Sequence, residues 1–277
     1  MMQKINNLIP RVCISGINGR MGHQLVRALS KSDRVILGAA LTKTNSRLCG
    51  TDVGKLIGFE SFGVIIRDCI MDVKDDFDIL IDFTRPEATL KYIDFCCRYN
   101  KNMVIGTTGF TDIQRSVIHQ AARQIGIVFS SNFSIGINVM LKLLQITTKI
   151  MKNFVDIDII DIHHRDKIDS PSGTALTMKE HLLTIMSEDN CCESILDYYN
   201  QHLNVQRELC SVKMTSIRSG STIGEHTVFF SSDGERLEIA HKAFDRKIYA
   251  TGAIQAAFWL NVDKVGLFNM LHVLGLV

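Results

Sequence analysis

Residues 11–30 read RVCISGINGRMGHQLVRALS. Val12, Cys13 and Ile14 form a short apolar run that reads as a buried strand, and Met21, Leu25, Val26 and Leu29 then recur at helical spacing. Between them Gly16, Gly19 and Gly22 make a G-x-x-G-x-x-G turn. Glycine lets the chain turn sharply and lets a pyrophosphate approach backbone N–H groups at a helix start. This glycine turn is therefore an expected pyrophosphate site, with Arg20 as an added cation. Such a turn also serves as a plain structural corner. The order strand, loop, helix, followed by a second strand at RVILGAAL (34–41), favours binding.

That second strand ends at Leu41, where an NAD site usually carries an acid for the ribose hydroxyls. Here Thr42 and Lys43 follow. Without the carboxylate a 2′-phosphate is not repelled, and Lys43 can attract one, so the balance favours NADPH over NADH; the other reading of Lys43 is a solvated loop charge. Downstream, FDILIDFT (77–84) is a near-continuous apolar strand, as in a parallel sheet covered on both faces. Thr84 and Glu87 have capping-box spacing for the helix after it. Two more strands end in small or polar loops at Gly106, Thr107 and Thr108 and at Ser130, Ser131, Asn132 and Phe133. Ligands of open parallel sheets bind beyond the carboxyl ends of the strands, which puts these residues on one crevice.

After Phe133 the pattern changes. Residues 134–154 read as a helix with Val139, Leu143, Ile146 and Ile150 on one face. VDIDIIDIHH (155–164) reads as a strand with apolar residues at 157, 159 and 162. Three further strands follow, the last two joined at Asp233-Gly234, a hairpin signal. Residues 190–206 read as loop and short helix, and the tail from Thr251 as helix able to return to the first domain. The expected fold is α/β: a Rossmann-like parallel-sheet nucleotide domain (1–133 plus 245–277) with an inserted α+β substrate and oligomerisation domain (134–244).

With 277 residues, 46% of them hydrophobic, the chain can build two cores. A net charge of only +2 gives no global basic surplus for nucleic acid or an anionic membrane, so anion binding must be local. The N-terminal stretch holds no long apolar run, so no signal peptide or membrane span is expected. Eight cysteines without a C-x-x-C pair are expected to be reduced, as in a cytosol.

The local anion site is HHRDKIDSPSGTA (163–175). Ser172 is placed to cap the helix that follows, so the amides of Gly173 and Thr174 present the positive end of its dipole. With Lys167 and Arg165 this suits the carboxylates of a small substrate, and a histidine beside it can pass a proton. A solvated basic loop is the alternative. No third and fourth metal ligand stands at usable spacing, so no metal is expected.

GINGRMG, DFTRPE, VIGTTGF, NFSIGINVM, HHRDKIDSPSGTA and RSGSTIGEHTVFF together resemble the 4-hydroxy-tetrahydrodipicolinate (dihydrodipicolinate) reductase family, from about residue 10 to the end of the chain. The resemblance implies a cytoplasmic, usually homotetrameric enzyme of lysine and diaminopimelate biosynthesis. It implies reduction of a cyclic imine dicarboxylate with hydride from NADH or NADPH. It implies His163 and Lys167 as proton-transfer residues, His164, Ser172, Gly173 and Thr174 as contacts to the substrate, and Gly16, Ile17, Asn18, Gly19, Arg20 and Met21, with residues 106–108 and 130–133, as the cofactor lining. Two departures stand out. Asp166 replaces a histidine that some members carry, and Thr42 replaces an acidic residue that members often use for the adenine ribose. Two rivals remain: another two-domain NAD(P)-dependent reductase, such as a semialdehyde dehydrogenase with a nucleophilic cysteine, and a dinucleotide-sensing regulator without catalysis.

Overall fold

The computed structural model describes residues 9–187, 212–261 and 264–277; the loop and short helix expected over 190–206 lie outside them. The chain divides into two compact units, one running through Ile135 and taking in Lys247–Val277, the other Gly136–Arg246.

The first unit alternates strand and helix: β1 (Arg11–Ile14), α1 (Arg20–Leu29), β2 (Ile36–Leu41), α2 (Val53–Ile57), β3 (Ile66–Arg67), β4 (Ile79–Asp82), α3 (Pro86–Arg98), β5 (Asn102–Ile105), α4 (Asp112–Ala121) and β6 (Gly126–Phe129). These strands pair in parallel in the order β3-β2-β1-β4-β5-β6. That is the order of a doubly wound dinucleotide fold, with its topological switch between β1 and β4. Two separate apolar cores cover the sheet. Val12, Ile14, Ile81 and Val104 pack on one face with Leu25 and Val26 of α1; Cys13, Leu80, Met103 and Ile105 pack on the other with Ile93 and Cys96 of α3 and Ile118 of α4. Burial on both faces explains why the central strands read as unbroken apolar runs.

The second unit holds α5 (Ile135–Met151), β7 (Asp156–His163), α6 (Gly173–Ser187), β8 (Val212–Arg218), β9 (Gly224–Ser231) and β10 (Arg236–Ala243). Its mixed sheet has the order β10-β9-β7-β8, with β7 and β8 parallel and the other pairs antiparallel. The hairpin closes through the Ser232 amide donating to the Glu235 carbonyl across Asp233-Gly234. Ile137, Met140 and Leu144 of α5 and Met178 and Leu182 of α6 pack with Ile157, Ile159, Val228 and Phe230 of the strands.

The tail returns to the first unit as α7 (Lys247–Leu260), β11 (Gly266–Phe268) and α8 (Met270–Val273), and β11 extends the parallel sheet beside β6 to seven strands. The tail is therefore not helix alone: three residues are too few to show a strand period. Three local expectations are corrected. Helix α3 is capped by Arg85 with Pro86 at its first turn, not by Thr84, whose hydroxyl turns inward to Asp82. In β7 the buried set is Ile157, Ile159, Asp161 and His163, in strict alternation, and Ile162 lies on the other face. The α5 stripe of Val139, Leu143, Ile146 and Ile150 is exposed, because the helix buries the adjacent stripe of Ile137, Met140 and Leu144.

Candidate active site

At the carboxyl end of β1 the chain turns through Gly16 with φ at +63°, a conformation that favours glycine, and a Cβ there would lie 2.9 Å from Thr84. Gly19 precedes α1 with no side-chain cap, and no acidic residue stands in that first turn. Asn18, Gly19 and Arg20 are exposed, whereas Ile17 is fully buried in the core and its amide donates to the Leu41 carbonyl. Gly22 serves close packing: a Cβ would fall 2.4 Å from the Ile17 carbonyl.

The strand ends beside this turn are tied by one buried carboxylate. Asp82 closes β4, is fully buried, and accepts hydrogen bonds from Ser15 Oγ (2.5 Å), Thr84 Oγ1 (2.6 Å) and Thr89 Oγ1 (2.5 Å), with Thr107 Oγ1 at 3.4 Å. These hydroxyls come from the loops after β1, β4 and β5 and from α3. Gly106 lies against the Phe83 ring, so closely that a Cβ would overlap it at 2.0 Å. Phe133 is buried and meets Phe83 edge-on, with ring centroids 5.3 Å apart, so its side chain belongs to the core. Thr108 and Ser131 are exposed; Ser130 Oγ donates to the Asn132 carbonyl.

After β2, Thr42 is buried and its Oγ1 has no partner among the described residues, while Lys43 is exposed. The neighbouring strand brings two charges that local sequence could not reveal. Exposed Arg67 pairs in register with Leu41, and Asp68 accepts from the Asn45 amide. An uncapped helix start, a turn that only glycine fits, and an orphan hydroxyl at the ribose end together suit a dinucleotide.

The second cluster lies wholly in the other unit. His163 ends β7 and is buried. Ser172 caps α6 as expected: its Oγ accepts from the Ala175 amide at 3.2 Å. His164 is half-buried, Gly173 is exposed with open space around it, and Arg165 and Asp166 are exposed. Lys167 is not a free cation. Its Nζ lies 2.8 Å from both carboxylate oxygens of Asp169. That contact, with an amide hydrogen bond from Gly173 among the lesser contributions, holds the Asp169 carboxyl below the usual range. The protein's own carboxylate thus rests on Lys167, a cation expected to meet the substrate.

Sequence reading missed the centre of this cluster. Asp161 is fully buried two residues before His163. It accepts from Ser172 Oγ (2.8 Å), the Ser172 amide (3.0 Å) and Arg218 Nη2 (3.0 Å). His163 Nδ1 is 2.9 Å from it and His226 Nε2 3.3 Å. Burial pushes its carboxyl up, but the contacts with His163, His226 and Ser172 outweigh this and hold it well below the usual carboxylate range. Strand alternation from Ile157 and Ile159 was the signal that could have found Asp161. Arg218 and His226 come from β8 and β9 and leave no local spacing to read. Asp161, His163 and His226 also bring three potential metal ligands within 4.8 Å of one another, a set that spacing alone did not suggest. The guanidinium and the Ser172 amide already engage one oxygen of that carboxylate and the Ser172 hydroxyl the other, which matches a hydrogen-bonded hub better than a cation site.

Among the described cysteines, Cys13 and Cys96 are buried and burial pushes both thiols up, away from nucleophilic thiolate. No helix of the described residues is long and apolar enough to cross a membrane.

Residues 10–133 match the family model described as dihydrodipicolinate reductase, N-terminus, and residues 136–274 match that described as dihydrodipicolinate reductase, C-terminus. Among solved structures, the chain is similar to a dipicolinate-bound dihydrodipicolinate reductase from Paenisporosarcina sp. TG-14, with a TM-score of 0.76 and 23% identity over 95% of this chain and 98% of that one. It is also similar in fold to aspartate semialdehyde dehydrogenase II from Vibrio cholerae (TM-score 0.54, 12% identity, 92% and 99% covered). A structure described as a probable dehydrogenase from Thermotoga maritima stands at a TM-score of 0.55 and 11% identity, with 90% and 86% covered.

Proposed function

The chain belongs to the dihydrodipicolinate reductase family, NAD(P)H-dependent oxidoreductases of lysine and diaminopimelate biosynthesis, and on that premise we propose how its residues divide the work. The first unit takes the dinucleotide. The uncapped amides of α1 and Arg20 hold the pyrophosphate, and the loops at 106–108 and 130–133 receive the nicotinamide end. Thr42 and Lys43 meet the adenine ribose, and we favour NADPH. The orphan hydroxyl of Thr42 and the exposed cations Lys43 and Arg67 support that choice, with Asp68 an opposing charge nearby. When bound, the reduced nicotinamide supplies a hydride.

The second unit takes the cyclic dicarboxylate, the ligand class seen with the Paenisporosarcina enzyme. A substrate carboxylate replaces Asp169 on Lys167 and meets the Gly173 amide, with Thr174, Ser172 and His164 around it. Hydride adds to an electron-poor carbon of the conjugated imine. The displaced electron pair takes a proton from His163 or Lys167, so one double bond is reduced and one N–H bond of the donor is broken. The single observation that carries this reading is His163 held over a buried carboxylate that also fixes the Ser172-capped helix start. Exposed apolar residues of the second unit, Val139, Leu143, Ile146 and Ile150 among them, support assembly as a homotetramer. The free cysteines among the described residues are in keeping with the cytoplasm.

The test is NADPH oxidation with freshly made substrate. His163→Ala and Lys167→Ala are each expected to lower kcat about 10²–10⁴-fold while NADPH binding, read by fluorescence titration, is unchanged. Near-normal turnover in both variants would end the proton-donor assignment.

A further inference from the structure

We propose that Asp161 is a positioning residue for catalysis: it holds the His163 imidazole by Nδ1, so that Nε2 is the nitrogen that meets the substrate. The proposal rests on the reading of His163 as proton donor. Three observations carry it.

The first is contact. Asp161 Oδ1 lies 2.9 Å from His163 Nδ1, and Nδ1 is fully buried with no aligned hydrogen-bond partner among the described residues. A modest turn of the ring places its N–H on the oxygen. A protonated ring has reason to make that turn, because a buried imidazolium N–H beside a carboxylate would otherwise lose its hydrogen bond.

The second is the opposite side of the ring. Nε2 is absent from the buried, unpartnered atoms, and it faces Gly224, where a Cβ would stand 3.0 Å from it. A side chain at 224 would crowd Nε2, and glycine spares it that contact. One nitrogen is thus turned to a buried anion, while the other is neither fully buried nor hydrogen-bonded among the described residues, which is the arrangement a directional proton donor needs.

The third is that Asp161 cannot easily move. Arg218 from β8, the Ser172 amide and hydroxyl before α6, and His226 from β9 reach it from three elements. Since Ser172 caps the helix whose first amide belongs to the substrate cradle, one carboxylate sets both the ring and the cradle. The same logic governs histidines oriented by carboxylates at other proton-transfer and metal sites.

A double-mutant cycle tests this. Asp161→Asn is expected to lower kcat by about 10²-fold, at the lower end for loss of an acid–base group, with the KM for NADPH unchanged. Asp161→Glu, which keeps the charge, is expected to recover at least a tenth of the wild-type rate. In a His163→Asn background, Asp161→Asn is expected to slow the enzyme by less than twofold, because a residue that acts through His163 has nothing left to act on. An equal further loss in that background overturns the positioning role; a His163→Asn enzyme with normal turnover ends the proton-donor reading and this proposal with it. Because Asp161→Asn leaves Arg218 unpaired and the fold at risk, the wild type carries an independent readout. In ¹⁵N-histidine NMR, the resonances assigned to His163 by their loss in His163→Asn are expected to show the neutral ring protonated at Nδ1. A ring protonated at Nε2 contradicts the proposal, as does activity lost on chelation and restored by zinc, which would make the same three side chains a metal site.

Discussion

Asp82 and Asp161 are both fully buried, one in each unit, and their surroundings differ in kind. Asp82 is held by the hydroxyls of Ser15, Thr84 and Thr89, with Thr107 beside them, and by the Thr84 amide, and no cation pairs with it among the described residues. Asp161 has a guanidinium, the hydroxyls of Ser172 and Ser216, an amide and two imidazoles around it. The first arrangement ties three strand-end loops together with groups that do not titrate near neutral pH, which suits a scaffold beneath a bound dinucleotide. The second gathers charges that change partners or protonation, which suits a place where a proton and an anion are handled. Two carboxylates of equal burial thus mark a binding floor and a reacting centre by the company each keeps.

The comparison breaks most visibly under neutralisation. Asp161→Asn leaves the Arg218 guanidinium largely buried without its counter-charge, and losing one partner of a buried pair costs about 3–5 kcal/mol. Asp82→Asn keeps an oxygen that the Ser15 and Thr84 hydroxyls can still use and strands no cation. Its loss is expected to be on the order of 1 kcal/mol, that of a weakened hydrogen bond. Urea unfolding of the two variants beside wild type measures both. Equal losses would mean that Arg218 contributes nothing through Asp161.

A smaller effect separates them by pH. The Asp161 carboxyl is held below its ordinary value in the folded protein. Its contribution to stability is therefore fully present above the unfolded value, about 3.9, and is lost as pH falls through that value toward the folded one. Below about pH 4 the gap in urea midpoint between wild type and Asp161→Asn should narrow. A gap that stays constant down to pH 3 would remove the charged hub from the description.

The same two residues show where sequence suffices. The frame of the first unit was legible from 11–30, because strand, glycine turn and helix are local and their periods differ. The cap of α6 was legible because Ser172 and the amides it serves are adjacent. Asp161 was hidden among Asp156 and Asp158 in one strand, and only strict alternation separates the buried aspartate from the two half-exposed ones. Arg218 and His226 reach it through strand pairing across more than fifty residues, which no local spacing encodes. Asp82 read as one polar residue closing an apolar strand, since its partners lie in loops that the parallel sheet brings together.

The smallest effect concerns the carboxylate that is not buried. Asp169 is largely exposed, its side chain 58% accessible, yet it occupies Lys167, assigned above to the substrate. An incoming dianion must displace it, so part of the substrate's binding energy is spent on the exchange. Asp169→Asn removes the charge that competes while leaving the loop's size unchanged. Exposed ion pairs are worth about 0.2–1 kcal/mol, and 1.4 kcal/mol is tenfold, so the KM for the dicarboxylate is expected to fall by no more than about fivefold, with kcat and the KM for NADPH held. Steady-state kinetics at low ionic strength, where such pairs are least screened, gives the reading. A rise in KM would show instead that Asp169 aims Lys167 at the substrate, and the exposed carboxylate would then be a third positioned anion beside Asp82 and Asp161, no longer a rival of the substrate.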